Sequence, residues 1–99
     1  MAYTYIARLR IKPGTEAEFR QLIDEMIAAE RLNPDSLGYD VFHLDDPLEY
    51  VFLESYVDEA ADTAHREHPR TGPIIQRMVG CIDGTFTREM WHPVASMRD

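Results

Sequence analysis

The chain has 99 residues, with 10 Lys and Arg against 18 Asp and Glu, which gives a formal net charge of −8. Its 44% hydrophobic and 28% charged residues are typical of a globular chain, and this length allows one small core. We therefore expect a single domain over residues 1–99, with its core in 3–92 and a loose tail at 93–99.

The composition excludes several classes of partner. An acidic chain without a run of Lys or Arg lacks the basic patch that binds phosphates, so no nucleic acid is expected. No segment approaches the ~20 apolar residues of a membrane span, and the N-terminal residues have no apolar signal region. We expect a cytoplasmic protein, and we interpret the single Cys81 as a small buried hydrophobe.

The first third of the chain predicts a strand and a helix. Residues 3–12 alternate with a period of two, which is typical of a strand, and a Pro-Gly pair ends it. Thr15 and Glu18 have the spacing of a capping box for a helix that ends near 31–33. Apolar residues repeat along this helix at Phe19, Leu22, Ile23, Met26 and Ile27.

The middle of the chain predicts two strands and a short helix. Residues 37–44 and 49–57 are rich in β-branched and aromatic residues and read as an antiparallel pair. Asp58 is expected to cap a helix over 59–67, which Pro69 interrupts.

The last third predicts a second helical piece, with Thr71 as its cap and Gly80 at its end, and a fourth strand over 83–92. The resulting order is the split β-α-β pattern of a ferredoxin-like sandwich. The sequence therefore predicts an α+β fold, βαββαβ, with an antiparallel sheet whose helices cover one face.

The opposite face of that sheet has nothing from its own chain to pack on. The alternation of the strands puts Ile6 on this face, and we expect Phe52 and Tyr56 beside it. An exposed apolar patch of this kind marks a partner surface, so we expect a homodimer.

Three charged residues are assigned to the same face. Arg8 and Arg10 lie on it by alternation, and Glu54 is expected to share it. Buried arginines need carboxylate partners, so we interpret the three as ion pairs at the dimer interface. Recognition of an anionic substrate is the less favoured alternative.

Four segments together carry a family resemblance: residues 6–14, 37–39, 51–54 and 64–65. In order and spacing they resemble the antibiotic biosynthesis monooxygenase family, of the dimeric α/β-barrel fold, over residues 3–92. The resemblance implies a homodimer whose two sheets face each other as a barrel, with a small-molecule pocket between sheet and helices. It also implies oxidation of hydroquinones or anthrones by dioxygen without a cofactor.

One branch of that family degrades haem, and this chain departs from it. Ala7, His65 and Ile75 stand where that branch has its Asn, Trp and axial His, so haem ligation is not expected. No nucleotide, flavin or hydrolase motif occurs, so we expect no cofactor. His65 and His68 have a helical spacing but no third ligand in a recognisable motif, so no metal site is expected.

His65 is the candidate catalytic residue. A histidine side chain, with an unperturbed pKa of about 6.5, suits removal of a phenolic proton near neutral pH. The alternative is a core-edge histidine hydrogen-bonded to a backbone carbonyl. The residues expected to bind a flat substrate are Tyr5, Ala7, Tyr39, His43, Met78 and Trp91.

The sequence thus predicts a cofactor-independent monooxygenase that oxidises a small electron-rich aromatic compound with dioxygen. Two alternatives stay open because fold alone does not decide function. One is a non-catalytic small-molecule-binding or stress-associated dimer, and the other is an isomerase or lactonase with a different base. An apolar pocket with a polar base would favour the enzyme, and a filled pocket would favour the binding protein.

Overall fold

The structure is a computed structural model that describes residues 2–97. In chain order, its elements are β1 (Tyr3–Arg10), α1 (Glu16–Glu30), β2 (Ser36–His43), β3 (Glu49–Tyr56), α2 (Glu59–Glu67), α3 (Gly72–Cys81) and β4 (Thr87–Met90). The strands form one antiparallel sheet in the order β2-β3-β1-β4. The predicted α+β ferredoxin-like fold is confirmed. No helix within residues 2–97 is both long enough and apolar enough to span a bilayer.

The helices pack on one face of the sheet, which we call the inner face. Ala7 and Phe52 are paired across β1 and β3 and both belong to the main core. The apolar stripe of α1 and residues of α3 complete this core, whose other buried members are Ile11, Phe19, Leu22, Ile23, Met26, Ile74, Met78 and Cys81. The burial of these side chains is the main stabilising contribution available to a chain of this size.

The predicted orientation of β3 is wrong. Phe52, Glu54 and Tyr56 lie on the inner face, because each is paired with a β1 residue whose side chain faces the helices. The opposite face, the outer face, instead carries Val51 and Leu53 from this strand. Both faces of β3 hold large apolar residues, so the two-residue period alone did not distinguish them.

This correction also changes the predicted ion pairs. Arg8 and Arg10 lie on the outer face as expected, but their carboxylate partners are in the same chain. The Arg8 Nε atom lies 3.6 Å from Glu89 Oε1. An Arg10 Nη1 atom lies 2.6 Å from Asp46 Oδ2 and 3.5 Å from Glu49 Oε1. Glu54 takes no part in these pairs, since its side chain faces the helices.

The ends of the helices follow the sequence in part. Asp58 caps α2 as predicted, accepting a hydrogen bond from the Ala61 N–H at 2.8 Å. The predicted capping box is wrong, because the Thr15 hydroxyl donates to the Lys12 carbonyl instead of accepting from α1. The Thr71 hydroxyl likewise donates backwards, to the carbonyl of His65, so that it ties α3 to the end of α2.

The C-terminal part is less regular than predicted. The last strand covers only Thr87–Met90 of the expected residues 83–92. Of the predicted tail, residues 93–97 have no helix or strand, and residues 98–99 lie outside the described residues.

Truncation of Leu22 tests the assignment of the core. Leu22 is fully buried on α1, whereas Leu32, just beyond this helix, is 67% exposed. We expect Leu22→Ala to lower the free energy of unfolding by about 2–5 kcal/mol through lost burial and a residual cavity. The matched control Leu32→Ala should change it by no more than about 0.5 kcal/mol. Equal losses in urea denaturation of the two variants would contradict this core.

Candidate functional site

One row of inner-face residues crosses the sheet with a carboxyl at its centre. Antiparallel pairing sets Glu54 of β3 opposite Tyr5 of β1 on one side and Tyr39 of β2 on the other. Met90 of β4 continues the row beyond Tyr5. The register of two strand pairs, β1 with β3 and β2 with β3, therefore places the acidic side chain of Glu54 between two tyrosines.

Glu54 is buried and held by phenolic hydroxyls. Its Oε1 atom accepts hydrogen bonds from Tyr5 at 2.9 Å and from Tyr56 at 3.0 Å. Burial raises the pKa of Glu54, and the two phenolic donors offset only part of this effect. Burial also raises the pKa of both Tyr5 and Tyr56, with a further contribution from the Glu54 charge. The phenols are therefore permanent donors, and Glu54 is the group that can exchange a proton.

His65 lies behind this carboxyl. It is in the last turn of α2, and its side chain is only 3% exposed. The Nε2 atom is 3.9 Å from Glu54 Oε1, and the ring lies between the rings of Tyr56, at 5.2 Å, and Tyr39, at 6.5 Å. A small movement would bring the imidazole and the carboxyl into hydrogen-bond range.

The other nitrogen of His65 contacts a second buried acid. Its Nδ1 atom is 2.6 Å from Oε1 of Glu30, the last residue of α1. The oxygen lies off the line of the ring N–H, so the contact is short but too bent for a regular hydrogen bond. Burial acts to raise the pKa of Glu30, but the contacts with His65 and Ser36 outweigh it, and the net pKa is lowered. Glu30 is thus held as a carboxylate.

Asp62 of α2 forms the opposite end of this polar cluster. It is completely buried, and its Oδ2 atom accepts from Arg66 at 3.0 Å and from Arg88 at 3.2 Å. The Arg88 guanidinium also stacks 3.9 Å from the centre of the Tyr5 ring. Two arginines therefore compensate the Asp62 charge, and the contact with Arg88 joins α2 to β4 of the sheet.

The hydroxyl of Tyr5 connects the two ends of the cluster. It lies 2.9 Å from Glu54 Oε1 and 3.0 Å from Asp62 Oδ1. A phenol has one proton to donate. When Glu54 is ionised, both acids compete for this proton, and when Glu54 is neutral the phenol is available to Asp62. The protonation of Glu54 thus determines how the cluster is hydrogen-bonded.

An apolar cleft of about 120 Å³ opens in front of Glu54, between the sheet and α3. Among the described residues that line it, Glu54 is the one carboxyl. The rest are apolar or aromatic and include Ala7, Leu9, Tyr39, Phe52, Met78 and Phe86. An apolar cleft with a single carboxyl at its wall is the arrangement expected of a small-molecule site.

The structure brings some of the predicted site residues together. Ala7, Tyr39 and Met78 line the apolar cleft. Tyr5 and His65 lie behind its wall and reach it only through Glu54. His65 instead lines a second cleft, of about 260 Å³, between the ends of α1 and α2.

Two predicted substrate-binding residues lie elsewhere. His43 is exposed at the far end of β2, where its ring packs edge-on against Tyr50 at 6.4 Å. The Trp91 backbone bonds to the Thr4 carbonyl, and the alternation of β4 directs its side chain to the outer face. Neither belongs to the apolar cleft. Within residues 2–97 no group of three or more potential metal ligands occurs.

Three residues of the site are not predicted from the sequence: Glu30, Asp62 and Tyr56. A signal for Glu30 was present, because it continues the helical spacing of the buried Ile23 and Met26. An acid on an apolar stripe, at the helix end where the dipole disfavours negative charge, needs a buried partner. Asp62 gave no comparable signal, because Arg66 at i+4 forms an ordinary helical ion pair and the partners Tyr5 and Arg88 come from distant parts of the chain.

The family model of the antibiotic biosynthesis monooxygenases matches residues 2–77. The chain belongs to the antibiotic biosynthesis monooxygenase family. The resemblance noted in the sequence is confirmed, and membership supports a monooxygenase-like role.

Solved structures agree with this membership. An antibiotic biosynthesis monooxygenase is 26% identical, with a TM-score of 0.86 over 96% of this chain and 100% of that one. Rv0793 from Mycobacterium tuberculosis is 23% identical, with a TM-score of 0.85 over 98% and 99% of the two chains. A conserved protein from Methanosarcina mazei is 22% identical, with a TM-score of 0.84 over 92% and 91%. A search of curated protein sequences gives no significant match.

The raised pKa of Glu54 predicts a pH-dependent effect of Glu54→Gln on stability. Above the unfolded-state value of about 4.3, the folded chain retains a proton that the unfolded chain releases, so wild-type stability falls as pH rises. The fall ends when pH passes the raised pKa. The variant lacks this loss, so its stability relative to wild type should grow by at most about 1.4 kcal/mol per pH unit in that interval.

Urea denaturation at several pH values between 4 and 9 measures this difference. Glu18→Gln is the matched control, because Glu18 is exposed on α1. A stability difference between Glu54→Gln and wild type that stays constant with pH would contradict a raised pKa at Glu54.

Proposed function

We propose that this protein is a cofactor-independent monooxygenase that oxidises a small hydroquinone with dioxygen. The observation that carries this proposal is one buried acid, Glu54, at the wall of an otherwise apolar cleft. Family membership supports the reaction class. The apolar lining suits a neutral aromatic ring and dioxygen, and Glu54 suits the hydroxyl of that ring.

The size of the cleft favours a single ring over the three fused rings of an anthrone. A dry cavity of about 150 Å³ accommodates benzene, and this cleft measures about 120 Å³. Tyr39 and Phe52 present aromatic surface to such a ring. We therefore narrow the proposed substrate class to monocyclic hydroquinones, with any larger substituent extending from the open side.

The reaction requires no external reductant. One oxygen atom of dioxygen forms a bond to a ring carbon in place of hydrogen, and the second leaves as water. The O–O bond breaks, and the four electrons come from the hydroquinone, which loses its two hydroxyl hydrogens and becomes a hydroxyquinone. The protein has to ionise the substrate, because the phenolate gives electrons to dioxygen more readily than the phenol does.

Glu54 is the base in this proposal, and His65 acts through it. The substrate hydroxyl would donate to Glu54, whose raised pKa brings a carboxyl closer to the neutral range in which proton transfer is efficient. His65 Nε2, 3.9 Å behind Glu54, would then hold the proton while the substrate is anionic. His65, which the sequence predicts as the base at the substrate, thus acts one step behind Glu54.

Oxygen uptake tests the proposal. With a monocyclic hydroquinone, wild type should take up oxygen faster than the uncatalysed reaction does. It should consume one molecule of dioxygen for each molecule of substrate. Glu54→Gln and His65→Ala should each lower kcat roughly 10²- to 10⁴-fold, and the double variant should lose no more than the larger single effect, because the two groups act in series. The pH profile of kcat/KM should lose its acidic limb in Glu54→Gln.

His92→Ala is the matched control and should retain wild-type kcat, because His92 is exposed beyond β4. Tight binding of the hydroquinone without oxygen uptake would overturn the monooxygenase and favour the binding protein. Equal rates in wild type and both single variants would remove Glu54 and His65 from the reaction.

The outer face of the sheet supports a homodimer as part of the same proposal. Phe42 is 55% exposed there, and the paired Val51 and nearby Leu53 are only partly buried. A second copy of the sheet would cover these side chains. Sedimentation at micromolar concentration should give twice the chain mass of 11.5 kDa.

Phe42→Glu should raise the dimer dissociation constant at least about tenfold, because it puts a charge on each copy at a buried apolar contact. A fully folded wild-type monomer at that concentration would contradict the dimer.

A further inference from the structure

We propose that Glu30 is a positioning residue that fixes the proton of His65 on Nδ1 and leaves Nε2 as the acceptor facing Glu54. This inference rests on the proposed function, in which His65 receives the substrate proton through Glu54. It assigns a role to a buried acid that the reaction itself does not touch.

The geometry defines what each ring nitrogen can do. Nδ1 lies 2.6 Å from the Glu30 carboxylate, and Nε2 lies 3.9 Å from Glu54. A neutral imidazole carries one proton, and its partner decides which nitrogen holds it. A carboxylate has no proton to donate, and its negative charge at this distance stabilises an N–H on the nearer ring nitrogen, so Glu30 favours the tautomer with Nδ1–H. The lone pair of Nε2 then points toward the cluster behind the cleft.

Helix stability does not account for an acid at this position. Glu30 ends α1, where the helix dipole disfavours a negative charge, and its side chain is only 5% exposed. An isolated buried carboxylate is costly, whereas one beside an imidazole that can become positive is compensated. The pair therefore gains most when His65 has taken up a proton, which is the state the proposed reaction requires.

The second cleft completes this arrangement. His65 forms part of its wall, together with His68 and Arg70, on the side away from the apolar cleft. The positive charge that forms when Nε2 takes up a proton from Glu54 is thus balanced by Glu30 on the side of the ring away from the substrate.

Nitrogen NMR of the histidine ring tests the tautomer without any assay of activity. Long-range nitrogen–proton spectra of wild type, Glu30→Gln and Glu30→Ala distinguish Nδ1–H from Nε2–H, and the His65 signals are assigned by their loss in His65→Ala. At a pH where the ring is neutral, wild type should show Nδ1–H. Glu30→Ala should shift toward Nε2–H, the form that an unconstrained side chain favours.

Glu30→Gln should keep Nδ1–H, because the partial negative charge of the amide oxygen still favours an N–H there, and this variant keeps the test informative if Glu30→Ala does not fold. Glu18→Gln, an exposed change on the same helix, should leave the spectrum unchanged. The Nε2–H form in wild type, or the same Nδ1–H form in Glu30→Ala, would overturn the proposal.

Kinetics provide the second readout. Glu30→Ala should lower kcat with the hydroquinone on the order of 10²-fold and leave KM within about twofold, with partial recovery in Glu30→Gln. A purely structural tie would change the thermal midpoint and leave kcat intact. If wild type consumes no oxygen, the proposed function fails, whereas the tautomer measurement still decides the role of Glu30.

Discussion

The burial of one carboxyl group, that of Glu54, is the constraint on which the site depends. Removing a carboxyl from water is costly unless donors replace the lost hydration. Here the donors come from Tyr5, opposite on β1, and from Tyr56, two residues along the same strand. A slip of one residue between β1 and β3 would turn Glu54 to the other face and leave the Tyr5 hydroxyl without this acceptor. The chemistry of the site therefore depends directly on the register between β1 and β3.

The polar cluster around Glu54 and Asp62 also attaches α2 to the sheet, where few apolar side chains are in contact. Among residues 2–97, the core beneath α2 is small, with Tyr5, Tyr56 and Ala61 buried in it and Tyr3 packed against it. Its attachment relies instead on Asp62, which is bonded to Tyr5 and to Arg88 of β4. Polar contacts thus join β1, α2 and β4 where hydrophobic packing is thin. A substitution in this cluster is expected to affect both folding stability and the chemistry of the site. Because a rate responds to both effects, pH profiles and histidine tautomers distinguish them better than rates alone do.

The sequence predicts an element correctly where its hydrophobic periodicity is unambiguous, and it fails where two faces look alike. The alternation of β1 and the apolar stripe of α1 each allow only one choice of buried face, and both elements were predicted correctly. In β3 both parities are apolar, and Glu54 was assigned to the wrong face. The aromatic residues Tyr50, Phe52 and Tyr56 share its parity, whereas Ser55 has the opposite one and bonds to Thr4 on the outer face. Long-range partners such as Arg88 over Tyr5 leave no local pattern, so only the fold reveals them.

Placing an acid in front and an imidazole behind it has a physical advantage in an apolar cleft. A histidine at the cleft wall would gain a positive charge next to the substrate, and nothing in the apolar lining could stabilise it. With Glu54 in front, the proton moves inward, and the charge that forms on His65 lies between two carboxyls, Glu54 and Glu30. The net charge of Glu54, His65 and Glu30 together changes by the one proton received. The positive charge on His65 stays away from dioxygen and from the substrate ring. In the proposed reaction the cleft can therefore remain apolar while the substrate is ionised, and this combination is what oxidation without a cofactor requires.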